Sequence, residues 1–553
     1  MRTKSEKRQE QMLKTAYCNG QVYTGTLPLV SAFLVEGNKV ICTGSDEEVL
    51  RAAGADAEKV DLQGRFAMAS FNDSHMHLLA YGDALTEAKL NEHTGSLADM
   101  ISYLKEFESE HPHRDGAWLQ GRGWNQDYFS DVNRMPVRQD LDQVSTDVPV
   151  VAVRACGHIL CVNSKALELI GVNDDTPDPE GGAIGHDENG HLNGIFSDNA
   201  MDLYVYPRIP VPDKAKIKEM IKAACRQLNR YGVTSSQTDD YCKFRAVPWS
   251  VVNEAYKELE ESGDLTVRVY EQSNFTTLRE LRKFVEAGCK TGAGTDKFRI
   301  GPLKMLGDGA LGARTAYLSR PYADDPSTQG YPLFDQQTFD EMIGYANEND
   351  MQVAVHAIGD GCLDMVLDAY EKAFARHPRE DHRCGIVHCQ ISRPDQLKRI
   401  ADMHLHVYMQ SIFLNYDIRM VEQRVGKELA STSYAWKTLK NMGVSVSNGT
   451  DCPVELPDAL ACMQCGVTRK TLDETMGPYL PDEAFSVQEI LDSYTIRSAE
   501  ASFEEHVKGK LAKGYLADFV VLGKNPFDVP KETIQDIPVV ATFMDGRKVY
   551  GNL

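Results

Sequence analysis

SFNDSHMHL, residues 70–78, is a short apolar-flanked run of the kind that forms a buried strand, and it carries two histidines near its carboxyl end. Since side chains alternate along a strand, His75 and His77 share one face. In a closed barrel of parallel strands that face is the interior, and the carboxyl end is where barrel enzymes hold their reactive groups. The run therefore predicts a first barrel strand with a pair of metal ligands. Coincidence is the alternative, because the chain has 15 histidines and two further pairs of this spacing.

Seven segments of similar β-branched texture follow along the chain. They are GVTSSQTDD (232–240), LTVRVYEQ (265–272), KFRIGPLKMLGD (297–308), MQVAVHAIGD (351–360), RCGIVHCQ (383–390), HVYMQS (406–411) and MGVSVSNGTD (442–451). Segments with apolar residues at helical spacing separate them. Eight strands that alternate with helices predict an α/β fold, a (β/α)8 TIM-like barrel over residues 68–504. The count sets aside residues 85–214 as a large insertion, which carries its own strand-like run, VPVVAVRA (148–155).

Both ends of the chain have the texture of short strands joined by turns. Gly37-Asn38 separates two alternating runs near the start, and Asp545-Gly546 does the same near the end. We therefore predict that residues 1–67 and 505–553 meet in one small β-sandwich domain.

The composition narrows the classes of partner. Lys and Arg number 59 against 81 Asp and Glu, a net charge of −22 that repels nucleic acids and anionic membranes. No run approaches the ~18 apolar residues of a membrane span, and the first twenty residues lack the apolar core of a signal peptide. The 13 cysteines are scattered singly, which favours reduced thiols. We expect a cytoplasmic protein with a small-molecule partner and with no nucleic acid or membrane partner.

Three later strands also end in polar residues. His356 ends MQVAVH, His388 ends CGIVH, and Asp451 follows VSVSNGT. A single histidine on an apolar strand is usually a core residue with its hydrogen bonds satisfied. Three such residues together with His75 and His77 favour a shared site at the carboxyl ends of the strands.

Lys304 lies in the otherwise apolar run FRIGPLKML. A buried ammonium is costly unless it is paired or neutralised, and a neutral amine is a nucleophile, including toward carbon dioxide. A carbamylated lysine would carry a negative charge on two oxygens and suit two metal ions. The alternative is a structural ion pair with Asp308, four residues further on.

These motifs together resemble the amidohydrolase superfamily and, within it, the YtcJ-like branch that includes N-substituted formamide deformylases. The resemblance spans nearly the whole chain. The stretches that carry it are FNDSHMH, LKMLGDGALGARTA, HAIGD, IVHCQ, NGTDCPV, RACGHILCVNSKAL and KGKLAKGYLADFVVL.

The resemblance implies a divalent metal centre. His75 and His77 would bind the more buried ion, His356 and His388 the second ion, and carbamylated Lys304 would bridge the two. Asp451 would bind the first ion and move the proton as metal-activated hydroxide attacks. Zinc is the expected metal; manganese, iron and a single-ion centre remain open.

The resemblance also indicates candidate substrate contacts. RACGHILCVNSKAL contains Arg154 and His158, and LKMLGDGALGARTA contains Asp308 and Arg314. Apart from the resemblance, Trp124 in GAWLQGRGWNQD is a candidate for an apolar pocket wall, with ordinary packing as the alternative. One departure is visible, because GIFSDNAM has Ser197 and Asp198 where much of the branch has glutamate. Substrate contacts in that loop are therefore not carried over.

Two motifs are discounted. Residues 307–312 match GxGxxG, but Pro321 cuts short the helix that a dinucleotide site needs. Cys462 and Cys465 form a CxxC without a second pair, which favours packing on one helix face over a zinc site.

We predict a metal-dependent hydrolase that cleaves a carbon–nitrogen bond of a small molecule. The bond would be an amide or N-acyl bond, and N-formyl amides are among the candidate substrates. A deaminase, a lactone or cyclic imide hydrolase and a non-catalytic regulatory relative are the alternatives. The resemblance implies a homodimer as the candidate assembly.

Overall fold

The computed structural model describes residues 14–112, 116–155, 158–179 and 181–553. The chain forms two compact units. One contains the residues up to Tyr81 together with Ile217–Leu553, and the other is Gly82–Lys216.

Strands and helices alternate along most of the described chain. The strands are β1 (Lys14–Cys18), β2 (Gln21–Val22), β3 (Ala32–Glu36), β4 (Lys39–Gly44), β5 (Glu58–Asp61), β6 (Phe66–Ala69), β7 (Phe71–Met76), β8 (Ala88–Lys89), β9 (Leu119–Trp124), β10 (Val150–Arg154), β11 (Ile159–Val162), β12 (Gly182–His186), β13 (Leu192–Asp198), β14 (Val233–Thr238), β15 (Arg268–Asn274), β16 (Phe298–Leu306), β17 (Val353–Ala357), β18 (Gly385–His388), β19 (His406–Met409), β20 (Val446–Asn448), β21 (Phe519–Leu522), β22 (Val539–Met544) and β23 (Arg547–Gly551). The α-helices are α1 (Asp46–Ala53), α2 (Leu78–Ala84), α3 (Leu97–Glu110), α4 (Arg138–Asp142), α5 (Ser164–Ile170), α6 (Lys214–Arg230), α7 (Trp249–Ser262), α8 (Leu278–Glu286), α9 (Gln336–Glu348), α10 (Asp360–Arg376), α11 (Pro394–Asp402), α12 (Leu414–Asp417), α13 (Val421–Ala430), α14 (Trp436–Asn441), α15 (Ala459–Thr468), α16 (Val487–Ser493) and α17 (Ile496–Ala501).

The larger unit contains a nearly closed barrel of eight parallel strands. Their order is β20-β19-β18-β17-β16-β15-β14-β7, and each of the eight predicted segments supplies one strand. At the carboxyl ends of β7 and β20, backbone hydrogen bonds join the two edges of this sheet. The amide of Asp451 donates to the carbonyl of His75 at 2.9 Å, and the amide of His77 donates to Cys452 at 2.7 Å. The eight-stranded barrel predicted from sequence is confirmed.

Amphipathic helices alternate with the barrel strands, and α6, which precedes β14, illustrates their pattern. One face of α6 is buried, and its residues recur at spacings of three and four: Ile217, Met220, Ile221, Ala224, Cys225 and Leu228. This spacing places one apolar stripe toward the core and leaves the charged residues of the helix at the surface.

Strands from both chain ends build two sheets in the larger unit. The orders are β4-β3-β1-β5 and β2-β6-β21-β22-β23, and residues of both sheets share one core. Aromatic rings fill that core: Tyr17 stacks on Phe33 with centroids 4.7 Å apart, and Phe519 stacks on Phe543 at 4.3 Å. The predicted hairpins are present, joining β3 to β4 and β22 to β23.

The smaller unit has a mixed six-stranded sheet of its own, in the order β12-β13-β11-β10-β9-β8. Its apolar residues form two core clusters, which pack around α3 and α5.

No α-helix in the described part of the chain has the length and apolarity to cross a membrane. The cysteines within the described ranges are free thiols, as their scattered positions predict.

Candidate metal centre

Six polar side chains meet near the carboxyl ends of the barrel strands. They are the residues that the sequence predicts as metal ligands: His75, His77, Lys304, His356, His388 and Asp451. In the register of the parallel strands, Leu306 pairs with His356, and Ala357 pairs with His388. The ends of β16, β17 and β18 therefore lie at a similar height along the barrel axis.

His75, His77 and Asp451 provide the first group of ligand atoms. Oδ1 of Asp451 lies 3.4 Å from Nε2 of His75 and 3.3 Å from Nε2 of His77. Asp451 is buried, and its Oδ1 has no hydrogen-bond partner among the residues that the structure describes. A buried carboxylate oxygen without a partner is costly unless a cation or a proton lies in front of it. This group therefore fits a metal ion.

The backbone holds Asp451 in an uncommon conformation. Its φ of 57° lies in the left-handed region, which costs a non-glycine residue about 1 kcal/mol or more. Burial, the largest single effect, raises the pKa of Asp451, but the contacts with His77, His75 and His388 outweigh it and hold the pKa below its usual range. The side chain is therefore a carboxylate at neutral pH, as a ligand or a base requires.

His356 and His388 form the second group of ligand atoms. Nδ1 of His356 lies 2.9 Å from Nε2 of His388. The ring of His388 also lies edge-on to the ring of His75, with centroids 5.7 Å apart. The two groups are therefore neighbours.

Two glutamines orient the imidazoles. Nδ1 of His75 lies 2.7 Å from Oε1 of Gln272, whose amide nitrogen donates to the carbonyl of Ser74. Nδ1 of His388 lies 2.6 Å from Oε1 of Gln410, whose amide nitrogen donates to the carbonyl of Tyr408. Because each oxygen can only accept, Nδ1 carries the proton in both histidines, and Nε2 presents its lone pair to the centre.

His77 and His356 obtain their orientation from backbone acceptors. Nδ1 of His77 faces the carbonyl of Asp239 at 2.9 Å, so its Nε2 is the ligand atom. Nε2 of His356 faces the carbonyl of Gly309 at 3.3 Å, so its Nδ1 carries the lone pair that meets His388. Two lone pairs 2.9 Å apart repel each other unless a proton or a metal ion lies between them. Burial lowers the pKa of His77, but its contacts with Asp451 and Cys242 outweigh burial and raise that pKa above its usual value, so a metal ion would replace a proton on this ring. Imidazoles that converge beside a carboxylate are a donor set that suits a divalent ion such as zinc.

Lys304 lies beside both groups. It is fully buried, and its Nζ has no hydrogen-bond partner within the described ranges. Burial and then the Lys304 ammonium lower the pKa of His75 well below its usual value, and burial and His356 do the same for His388. Both histidines are therefore neutral, as metal ligands must be.

The alternative partner for Lys304 is wrong. Lys304 is paired with Asp239, whose Oδ2 lies 3.8 Å from Nζ, and not with Asp308. The physical reason is the strand: four residues of extended chain span about 13 Å, so Lys304 and Asp308 cannot meet as they would on a helix.

Asp308 and Arg314, the predicted substrate contacts after β16, have other partners in the structure. Asp308 is buried and accepts backbone amides from Tyr317 at 2.8 Å, Ile358 at 3.0 Å and Gly359 at 2.8 Å. Arg314 forms an ion pair with Asp324 at 3.0 Å at the surface. Both residues shape the loops around the centre, and their contact with a substrate stays a prediction.

The remaining candidates lie in the smaller unit. Trp124 is fully buried in its core and donates to the carbonyl of Ala152 at 2.9 Å. Arg154 donates to Gln126 at 2.8 Å through its Nε. His158 has an exposed ring whose Nδ1 lies 3.0 Å from Oδ1 of Asp198, the residue at the departure noted in the sequence. The contact of these three residues with a substrate also stays a prediction.

Sequence reasoning missed three residues of the centre: Gln272, Gln410 and Asp239. Gln410 and Asp239 directly follow a barrel strand, and Gln272 lies two residues before the end of β15, so all three stand close to a carboxyl end, the signal that identified His356 and His388. Applied to amides and to carboxylates alike, that signal would have found all three.

Two acidic residues, Asp417 at the end of α12 and Glu455, lie in the segments that follow β19 and β20. Oδ2 of Asp417 accepts hydrogen bonds from Gln390 at 2.7 Å and from the hydroxyl of Tyr434 at 2.8 Å. Burial raises the pKa of Asp417 to about 6. Burial, Asp417 and Asp451 raise the pKa of Glu455 to about 7. Both carboxyl groups therefore titrate closer to neutral pH than exposed carboxyl groups do.

Comparison with known proteins agrees with this geometry. The sequence profile of the Amidohydrolase family matches residues 58–550. Putative amidohydrolase YtcJ of Bacillus subtilis (strain 168) is 34% identical over 521 residues, which cover 94% of this chain and 96% of that protein. N-substituted formamide deformylase of Arthrobacter pascens is 24% identical over 527 residues, 94% of each chain. The crystal structure of an uncharacterized metal-dependent hydrolase from Pyrococcus furiosus superposes with a TM-score of 0.77 at 30% identity, covering 93% of this chain and 100% of that one.

Proposed function

This chain belongs to the amidohydrolase family, in its YtcJ-like branch, and is a metal-dependent hydrolase; from that premise we propose that it cleaves a carbon–nitrogen bond of a small molecule. The bond would be an amide or N-acyl bond. N-formyl amides are the first candidates, because N-substituted formamide deformylase is among the relatives that match along nearly the whole chain.

One observation carries the proposal: ring nitrogens of four histidines and the buried Oδ1 of Asp451 lie together at the mouth of the barrel. His75, His77 and Asp451 would hold one ion, and His356 and His388 a second. Lys304, as a carbamate, would supply two further oxygens between them. Zinc is the proposed metal. When bound, such ions lower the pKa of water and polarise a carbonyl group.

Asp451 is the residue placed to move the proton. Its Oδ1 would accept a proton from the attacking water and pass it to the nitrogen that leaves. The fixed backbone at Asp451 and the contacts of His75 and His77 with Oδ1 would hold that oxygen in one place through both steps. His158 is retained as a proposed substrate-binding residue.

The test is a panel of substrates assayed with metal-depleted protein to which zinc or manganese is added back. It contains N-formyl amines, longer N-acyl amines, cyclic imides, lactones and amino-substituted heterocycles. We expect an amine and a carboxylate as products, in equal amounts and only after metal is added. The Asp451→Asn variant is the control for contaminating hydrolases.

The products separate the alternatives. Release of ammonia from a heterocycle would show a deaminase, and ring opening without release of an amine would show a lactone or imide hydrolase. No turnover of any member by metal-loaded protein would contradict the proposal. We also propose that the protein is a homodimer in the cytoplasm. Light scattering of the purified protein tests whether it is a dimer.

A further inference from the structure

A second set of metal-binding atoms lies on the other side of His77. It consists of a ring nitrogen of His77, a carboxylate oxygen of Asp239 and Sγ of Cys242, all within 4.8 Å of one another. Sγ of Cys242 lies 3.6 Å from Nδ1 of His77 and 3.4 Å from the carbonyl oxygen of Asp239. The two residues Asp239 and Cys242 belong to the loop that follows β14. Imidazole, carboxylate and thiol at this spacing make a three-ligand site that leaves a fourth position for water.

A second observation, the unsatisfied carboxylate of Asp239, indicates that a cation would stabilise this set. Its side chain is fully buried, yet Oδ1 has no hydrogen-bond partner among the described residues. The other oxygen, Oδ2, accepts from Asn274 at 3.0 Å and lies 3.8 Å from Lys304. A buried carboxylate oxygen left without a donor is stabilised by a cation.

We propose that His77, Asp239 and Cys242 form a second, inhibitory metal site that binds a thiophilic divalent ion, such as zinc in excess, cadmium or cobalt. The ion takes the place of the thiol proton, as zinc does at sites with cysteine ligands. Thiolate and carboxylate together then supply two negative charges to a divalent cation. The sulfur ligand favours soft ions over magnesium or calcium.

Use of this site conflicts with use of the catalytic centre, because both need the same imidazole. In the structure Nδ1 of His77 donates to the carbonyl of Asp239, which leaves Nε2 free as the ligand of the centre. An ion on Nδ1 needs the lone pair there, so a neutral ring must carry its proton on Nε2. His77 then no longer binds the catalytic ion. Excess metal would therefore inhibit by withdrawing one ligand from the centre.

Metal binding at Cys242 is tested by spectroscopy on the full chain with its resident metal in place. Cobalt(II) is added, and the sulfur-to-metal charge-transfer absorption in the near ultraviolet is followed. We expect the band in the unmodified protein and in Cys289→Ser, the control at another partly exposed cysteine. We expect it to be lost in Cys242→Ser and in Cys242→Ala. Absence of the band in the unmodified protein, or its persistence in both Cys242 variants, would overturn the site.

The inhibitory effect is tested separately and rests on the proposed function. With a substrate of the panel, activity should fall as zinc or cadmium is raised beyond the amount that fills the centre. In Cys242→Ser basal activity should stay unchanged, while the inhibiting concentration rises by about tenfold or more. Equal inhibition of the variant and the unmodified protein would overturn the regulatory effect. If no substrate is found, the proposed function fails but the cobalt band still decides whether the site exists.

Discussion

Nδ1 of His356 and Nε2 of His388 lie 2.9 Å apart at the ends of two neighbouring parallel strands, while the other nitrogen of each ring faces an oxygen that can only accept. The strand register, which pairs Ala357 with His388, imposes this approach. Two basic nitrogens at this distance mark the position of a cation more directly than the identity of either residue does. The relationship also makes the orientation of each ring part of the site, since a flipped ring would present a proton instead of a lone pair.

Replacing Asp451 with Asn should remove turnover and leave the fold and most of the metal in place. We expect kcat to fall by about 10²–10⁴-fold, the usual contribution of a positioned acid or base. Turnover and metal content are measured on the same sample, with Asp482→Asn, at an exposed turn, as the matched control. Activity close to that of the unmodified protein would remove Asp451 as the group that moves the proton.

Replacing Gln272 or Gln410 with Met should weaken metal binding, because the imidazole loses the acceptor that keeps its proton on Nδ1. Loss of the hydrogen-bond partner of a metal-ligating histidine typically lowers metal affinity by roughly 10–100-fold, and we expect a similar loss here. Competition with a chelator gives the affinity. The control is Gln336→Met, which removes hydrogen bonds to Asp340 and to the carbonyl of Met365 on α9 and α10. If the control loses as much affinity, the glutamines do not act through the ligands.

Replacing Lys304 with Ala should lower the bound metal from two ions per chain toward one. A short-chain carboxylic acid added to this variant should restore part of the metal and of the activity, since it can supply the two oxygens of a carbamate. The same acid should not restore Asp451→Asn, which lacks a different group. A full complement of metal in Lys304→Ala, measured by elemental analysis, would show that the lysine does not bridge two ions.

Replacing His158 with Ala should raise KM by roughly 10-fold or more, as for loss of a charged hydrogen bond, with less effect on metal content. The smaller unit offers a close control in His191, whose exposed ring also pairs with an aspartate, Asp174, at 2.8 Å. His191→Ala should keep the KM of the unmodified protein. Equal effects of the two variants would indicate that His158 supports the fold of this unit and not the substrate.

Replacing Asp417 with Asn should stabilise the protein near neutral pH. The pKa of Asp417 is about 6 in the folded chain and ~3.9 in the unfolded one, so between these values the folded state holds more protons. Stability therefore falls as pH rises from about 4 to about 6 and is constant above that range. Asn keeps one oxygen to accept from Gln390 and Tyr434, which both bond to Oδ2.

Because Asp417 is partly exposed, we expect the variant to gain only about 1–2 kcal/mol at pH ~7 and little at pH ~4. Denaturant unfolding at several pH values measures the difference. A gain that does not change between these pH values would show that the carboxyl charge is not its cause.

The strands of the barrel could be predicted because each is a compact apolar run, and the ligands because each is a polar residue where such a run stops. The glutamines Gln272 and Gln410 escaped notice, since an amide at a strand end has no chemistry of its own and acts only through its neighbour. The partner of Lys304 was wrong because spacing along the sequence does not show which side chain comes from the next strand.

The insertion shows a different limit. One of its strands, β10, has a strong apolar pattern, whereas β8 has two residues and β12 is rich in glycine. Their pairing depends on contacts that are distant in sequence, which local patterns do not contain. The sequence therefore predicted that a large insertion exists and left its sheet undescribed.

The hydrogen bonds that join β7 to the chain after β20 also determine when the metal site can be completed during synthesis of the protein. Thr450 donates to Asp73 across 377 positions of sequence, and Asp451 reaches His75 through the same seam. The ribosome synthesises His75 and His77 long before Asp451, so the growing chain lacks one ligand of this group for most of its translation. The ion can be captured securely only once the final barrel strand has docked, and the enzyme is expected to acquire its metal as one of the last events of folding.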